Sequence, residues 1–253
     1  MAVPGTRGKP PPSADNELFS IDAYRSSFDS TVVDVDSENR RVAFAQTAFF
    51  PGGGGQPYDL GTIQWGDGRA DVTKVGRESG RIWHTLEAEE LPLVGTEVHG
   101  ALDWDRRHLT MRTHTALHIL CGVIWNELAI PVTGGNMEPG RGRLDFPLES
   151  INAEFGAHVE ARINEEIAAA REIFVDFVGR EAADADPALI RTAANLIPGE
   201  IDPLRVIDIS GLDRQADGGT HVTTTAEVGR VAVTGTENKG RGFKRVRIEV
   251  RDV

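Results

Sequence analysis

Apolar and polar positions alternate over short stretches in the first third of the chain. "STVVDVDSENRRVAFAQTAFF" reads as two strands around a polar turn at residues 36–40. "GTIQWGDGRADVTKVGRESGRIWHTL" reads as three more strands joined by glycine-containing turns. Near residue 103 the period changes. In "DWDRRHLTMRTHTALHILCGVIWNEL", Leu109, Leu117, Leu120, Ile124 and Leu128 recur at helical spacing, with Asp103 as the expected N-cap. The glycine-rich stretch "PVTGGNMEPGRG" is expected to be a loop and "RLDF" a strand. "NAEFGAHVEARINEEIAAAREI" forms a second amphipathic helix with Phe155, Val159, Ile163 and Ile167 on one face. Strand "EIFVDFVG", a third helix over "DADPALIRTAAN", strand "LRVIDI" and a terminal hairpin over 227–250 complete the reading.

This pattern divides the chain into a Pro-rich flexible tail (1–16), an all-β module (17–102) and an α+β module (103–253). The fold class is α+β. The start, "MAVPGTRGKPPPSADNELF", has no apolar core of the kind a secretory signal needs, and no apolar run is long enough to span a bilayer. The expected location is the cytoplasm, without a membrane partner. A single cysteine, Cys121, excludes an internal disulfide and any all-cysteine zinc site. A net charge of -12 argues against non-specific coating of nucleic acid. Between Arg230 and Arg251, however, seven bases stand against two acids, a local +5.

Four residues carry candidate metal chemistry. His114 and His118 lie four apart in the strongest helix, so their imidazoles share one face. Farther on, "DGGTH" places Asp217 four residues before His221, with Gly218 and Gly219 expected to let the backbone bring both to one ion. Three imidazoles and a carboxylate suit one zinc ion, and other transition metals are tolerated by the same set. If all four side chains bind, the site is closed and structural. If Asp217 stands back, a position opens for catalysis. A second unusual segment, "TAFFPGGGGQPYDLG", strings Gly52 to Gly55 onto Gln56, and four glycines suggest close backbone approach by a ligand or another segment.

With "TAFFPGGGGQPYDLG", "HTALH", "RLDF", "GGTHVTTTAEVG" and "ENKGRGFKRVRIEV" in order, the chain resembles the editing domain of alanyl-tRNA synthetases and the free-standing AlaX-type trans-editing proteins. The resemblance runs from about residue 17 to the C-terminus. It implies a small β-barrel-like module packed on an α+β editing module, with mischarged tRNA as the partner. The implied activity is ATP-independent, zinc-dependent removal of serine, and in some members glycine, from alanine tRNA, as a guard of translation fidelity. Nothing in 253 residues could hold the synthetase's catalytic domains, so a free-standing editor is expected.

The resemblance matches His114, His118 and His221 to metal ligands. Asp217 stands where the family usually carries cysteine, and is expected at the metal as a ligand or as the group that orients a water. Gln56 matches the glutamine associated with activity and substrate choice. Gly54, Gly55, Thr133, Asn136 and Thr220 are candidates for substrate contact. The basic hairpin, with Arg106, Arg107 and Arg112, is expected to face phosphates. Two alternatives stay open: a metal-stabilised module that binds an amino acid or tRNA end without turnover, and a deacylase for another aminoacyl-tRNA. Oligomeric state is not readable from the sequence.

Overall fold

The computed structural model describes residues 5–11, 16–148, 152–191, 198–238 and 243–252. In chain order the elements are β1 (Thr6–Gly8), β2 (Ser27–Asp36), β3 (Arg41–Phe44), β4 (Gly61–Trp65), β5 (Gly68–Glu78), β6 (Arg81–Glu87) and β7 (Glu97–Leu102). Then follow α1 (Trp104–Leu128), β8 (Gly134–Glu138), β9 (Arg141–Phe146), α2 (Ala153–Ala168), β10 (Ile173–Val178) and α3 (Arg180–Asp184). The last are β11 (Leu204–Ile209), β12 (Asp213–Ala216), β13 (Arg230–Asn238) and β14 (Lys244–Arg251). They fall into two compact units, one of residues 11–108 and one of residues 1–10 with 109–253.

The first unit is a closed barrel in the order β2-β3-β6-β5-β4-β7. Closure removes the exposed sheet edges that a short-stranded module would otherwise carry. Alternate residues point inward, so Phe28, Val32, Val42, Phe44, Phe49, Ile63, Val72, Val75, Leu86 and Val98 form one core. Phe28 meets Phe49 edge-to-face at 5.8 Å between ring centroids. Gly100 is required beneath it, because a Cβ there would lie 2.4 Å from the Phe28 ring.

Arg107, expected at a phosphate-facing surface, is instead wholly buried in this unit. Its Nε donates to both Asp59 oxygens at 3.0 Å, Nη1 to Ala23 O at 2.9 Å and Nη2 to Ala48 O at 2.6 Å. Asp59 also accepts the Phe50 N–H at 2.6 Å. Satisfied on several sides, the guanidinium ties together the two legs of the Gly52–Gly55 segment. A buried charge is tolerated on those terms.

His84 also sits inside the barrel, 3.0 Å from Thr47 Oγ1 and 3.3 Å from Val42 O. Burial pushes its pKa down from 6.5 to about 3, so the folded barrel holds it neutral. Its contribution to stability is therefore complete above pH 6.5 and is lost as pH falls from there toward 3. Each pH unit within that window costs about 1.4 kcal/mol. Urea unfolding of wild type and His84→Gln between pH 7.5 and 4.5 measures this, and the variant is expected to show the shallower pH dependence. Equal slopes would remove His84 as the source.

The second unit holds two four-stranded sheets, β1-β10-β11-β12 and β13-β14-β9-β8, together with α2 and the greater part of α1. Asp103 Oδ1 accepts the Arg106 N–H at 3.1 Å, the expected cap of α1. Asn152 caps α2, whose Val159, Ile163 and Ile167 are buried. Asn164 grips the backbone of Val231 in both directions, accepting its N–H at 3.0 Å and donating to its carbonyl at 2.8 Å. That fixes α2 against β13.

Several expectations are revised here. Thr6–Gly8, within the stretch read as a tail, forms β1 parallel to β10, because the backbone of three residues pairs whatever their side chains. The "PVTGGNMEPGRG" loop contains β8. A Cβ at Gly135 would come 2.8 Å from Leu144 Cδ2, so glycine gives that side chain room. The third helix is displaced to Arg180–Asp184, with a 3-10 turn at Pro187–Leu189, since proline disfavours helical geometry in the residue before it. Residues 192–195 of that expected helix lie outside the described residues.

A buried three-histidine and aspartate cluster

α1 delivers His114 and His118 from one face. The turn after β12 delivers Asp217, and His221 follows four residues later. One ligand-capable atom from each lies within 4.8 Å of the others, and the three imidazoles are buried. Zinc bonds of about 2.1 Å would place tetrahedral donors roughly 3.4 Å apart. His114 Nε2 is 3.6 Å from Asp217 Oδ1, and His221 Nε2 is 3.1 Å from Asp217 Oδ2. The His114 and His221 rings lie 4.2 Å apart, and His118 lies 5.0 and 4.6 Å from the two. The donor set and spacing fit a transition-metal ion.

Electrostatics agree with that fit at His114, His221 and Asp217. Burial pushes His114 down to about 4, more than the Asp217 charge pulls it back, so the ring is neutral at neutral pH. Burial, reinforced by His114, holds His221 well below its ordinary value. His118 moves the other way. Burial alone would lower it, but the hydrogen bond and charge of Asp213 and the charge of Asp217 raise it. Burial would also favour a protonated Asp217, yet the neighbouring histidines keep its carboxyl well below the usual range.

Asp217 serves two purposes. Its Oδ2 accepts the Gly219 N–H at 2.6 Å, closing the turn, and faces His221 as well. Gly218 has an ordinary φ and open space where a Cβ would stand. The carboxylate, not a glycine-only backbone conformation at residue 218, therefore closes the turn. Arg205 Nη1 donates to the Asp217 carbonyl at 2.8 Å and steadies the segment from β11.

The other candidate residues lie within one or the other unit. Gln56 is buried in the barrel unit, and its backbone exchanges hydrogen bonds with Gly53 at 2.9 and 3.1 Å. Gly54 and Gly55 have φ of 59° and 91°, and no atom crowds a Cβ built on Gly54. There, glycine answers to turn geometry and not to crowding. Thr133 donates to Asp145 O at 3.0 Å, and Asn136 accepts its neighbour's N–H, so both engage locally around β8 and β9. Thr220 is fully buried beside His221.

Three of the hairpin's basic residues are paired with acids. Arg245 pairs with Asp145 at 2.7 Å, Arg247 with Glu237 at 2.6 Å and Arg251 with Glu249 at 3.0 Å. Lys239 and Arg241 lie outside the described residues. Arg112 holds the carbonyls of Val228 and Arg251.

Sequence reading missed the residues behind the cluster. Thr115 Oγ1 is 3.1 Å from His221 Nδ1, and Asp213 Oδ2 is 2.9 Å from His118 Nδ1. Thr115 lies inside "HTALH", but Asp213 had no signal beyond a second acid four residues ahead of Asp217.

Comparison with known proteins gives the cluster its context. Residues 20–106 match the model of class II (A) tRNA synthetases, and residues 204–247 match the threonyl and alanyl tRNA synthetase second additional domain. The chain is 38% identical over 237 residues to the alanyl-tRNA editing protein AlaX-M of Saccharolobus solfataricus, covering 93% of this chain and 98% of the relative. It is 33% identical to AlaX-M of Methanosarcina mazei, covering 93% and 96%. Alanine–tRNA ligase of Thermococcus kodakarensis is 33% identical over 90% of this chain, which spans 25% of the ligase. Among the described residues, no helix is long and apolar enough to cross a membrane. With both curated editing proteins matched almost end to end, the chain belongs to the AlaX family of alanyl-tRNA editing proteins.

Proposed function

We propose that this aminoacyl-tRNA deacylase removes serine, and secondarily glycine, from mischarged alanine tRNA in the cytoplasm, using one zinc ion held by His114, His118 and His221, with Asp217 standing beside the ion. The observation that carries the reading is the convergence of three buried imidazoles and one carboxylate at metal-ligand spacing. A bound divalent ion supplies Lewis acidity toward the ester carbonyl and lowers the pKa of water beside it. The protein residues do the rest. Neutral His114 and His221 offer lone pairs, and Asp217 Oδ1, on the side of His114, accepts the proton of the attacking water. Burial of the cluster excludes bulk water. Thr220, Gln56 and the backbone at Gly54 and Gly55 are assigned to substrate recognition, with Thr133 and Asn136 as further contacts.

Serine release from seryl-tRNA, compared across wild type, Asp217→Ala and Asp217→Cys, tests this function. Loss of a positioned proton acceptor costs on the order of 10²-fold, so Asp217→Ala should lose about that much rate. Its melting temperature should change little by comparison. Asp217→Cys should retain zinc, since thiolate is a good zinc ligand. A wild type that binds zinc and releases no serine would favour a binding module with all four positions closed. Full rate and full zinc in Asp217→Ala would leave Asp217 as a turn residue alone.

A further inference from the structure

We propose that Asp213 is the positioning residue that decides which nitrogen His118 turns toward the cluster, and thereby how tightly the cluster holds its ion. The proposal rests on the metal reading above. The Asp213 side chain is completely shielded from solvent, and its Oδ2 lies 2.9 Å from His118 Nδ1. An ionised carboxylate accepts hydrogen bonds and donates none, so the facing imidazole nitrogen must carry the proton. The proton on Nδ1 leaves the lone pair on Nε2. His114 and His221 also face Asp217 through Nε2, so all three imidazoles turn the same nitrogen toward the cluster.

Two donors hold Asp213 in this role. Arg191 Nη1 reaches Oδ1 at 2.6 Å from within the same buried region, and the guanidinium lies over the Trp125 ring at 5.1 Å. Gln215 Nε2 donates to Oδ2 at 2.7 Å. The same Gln215 nitrogen stands 3.4 Å from His118 Nδ1, and there it would favour the opposite tautomer. That amide carries two hydrogens, one of them given to Asp213, but at Nδ1 the carboxylate at 2.9 Å is the nearer partner. His221 has no comparable lock, because the Thr115 hydroxyl opposite its Nδ1 both donates and accepts.

The backbone is shaped for this contact. Gly122 follows His118 by four residues, on the same face of α1. A Cβ at Gly122 would come 3.0 Å from Leu212 Cγ and 3.1 Å from Asp213 Cβ. Glycine therefore lets the start of β12 approach α1 closely enough for the carboxylate to reach His118.

The test uses the full chain with zinc as the only added ligand. Long-range nitrogen–proton NMR on the metal-free protein reads the His118 tautomer. Competition with a chromophoric chelator reads zinc affinity. In wild type, His118 is expected with its proton on Nδ1. In Asp213→Asn, the amide can present its NH2 group to Nδ1. The tautomer should then shift toward Nε2–H, with zinc affinity lower by about 10- to 100-fold. A folded Asp213→Asn protein with wild-type tautomer and affinity would overturn the proposal and leave the metal reading intact. If that variant does not fold, the wild type still decides, since an Nε2–H tautomer there overturns the assignment. Wild type that binds no zinc while His118 keeps its Nδ1 proton would sink the metal reading and leave the hydrogen-bond assignment standing.

Discussion

Serine is expected to leave alanine tRNA roughly 10⁴-fold faster than correctly attached alanine, when the two are compared as kcat/KM. The two substrates differ by one hydroxyl. A pocket that only accommodates that hydroxyl cannot discriminate strongly, because alanine would fit as well. A pocket whose buried polar groups require the hydroxyl leaves them unpaired when alanine enters, and that loss is large. Serine and alanine release are followed separately from the two charged tRNAs at catalytic enzyme concentrations. Rates within tenfold of one another would sink the editing assignment.

The double variant His114→Ala/His118→Ala is expected to lose its metal and, with it, roughly 10³-fold in deacylation, taking the ion's contribution as about 4 kcal/mol. Both histidines point from one face of α1, so the double change removes half the donor set without touching the loop that carries Asp217 and His221. The helix should persist, because alanine is its best former. Metal analysis, circular dichroism and serine release on the same preparations check the three parts. Equal metal content in variant and wild type would remove the cluster as the binding site. Lost helicity would mean that the drop in rate reports folding.

Legibility followed the range of the interaction. His114 and His118 were readable as a pair because helical periodicity is local, and α1 begins within one residue of its expected N-cap. The barrel strands showed through their alternation, since one face of each is buried in the same core. β8 and β12 did not, being short strands of polar and glycine residues whose pairing is supplied by neighbours. Arg107 looked like a surface cation next to Arg106. Only its partner Asp59, 48 residues away, puts it inside.

The sequence by itself determined the α+β class, the metal-capable residue types and the spacings that bring each pair to one place, because these depend on backbone period and turn length. Bringing the two pairs, already expected on one ion, into actual contact was left to the tertiary structure. So was the placement of Asp213 behind His118, with Arg191 and Gln215 holding it. Arg245, Arg247 and Arg251 of the hairpin were likewise matched to acids only in three dimensions. Hydrogen-bond and ion-pair partners act over about 3 Å. Residues about a hundred positions apart reach that distance only after the sheets and helices have packed.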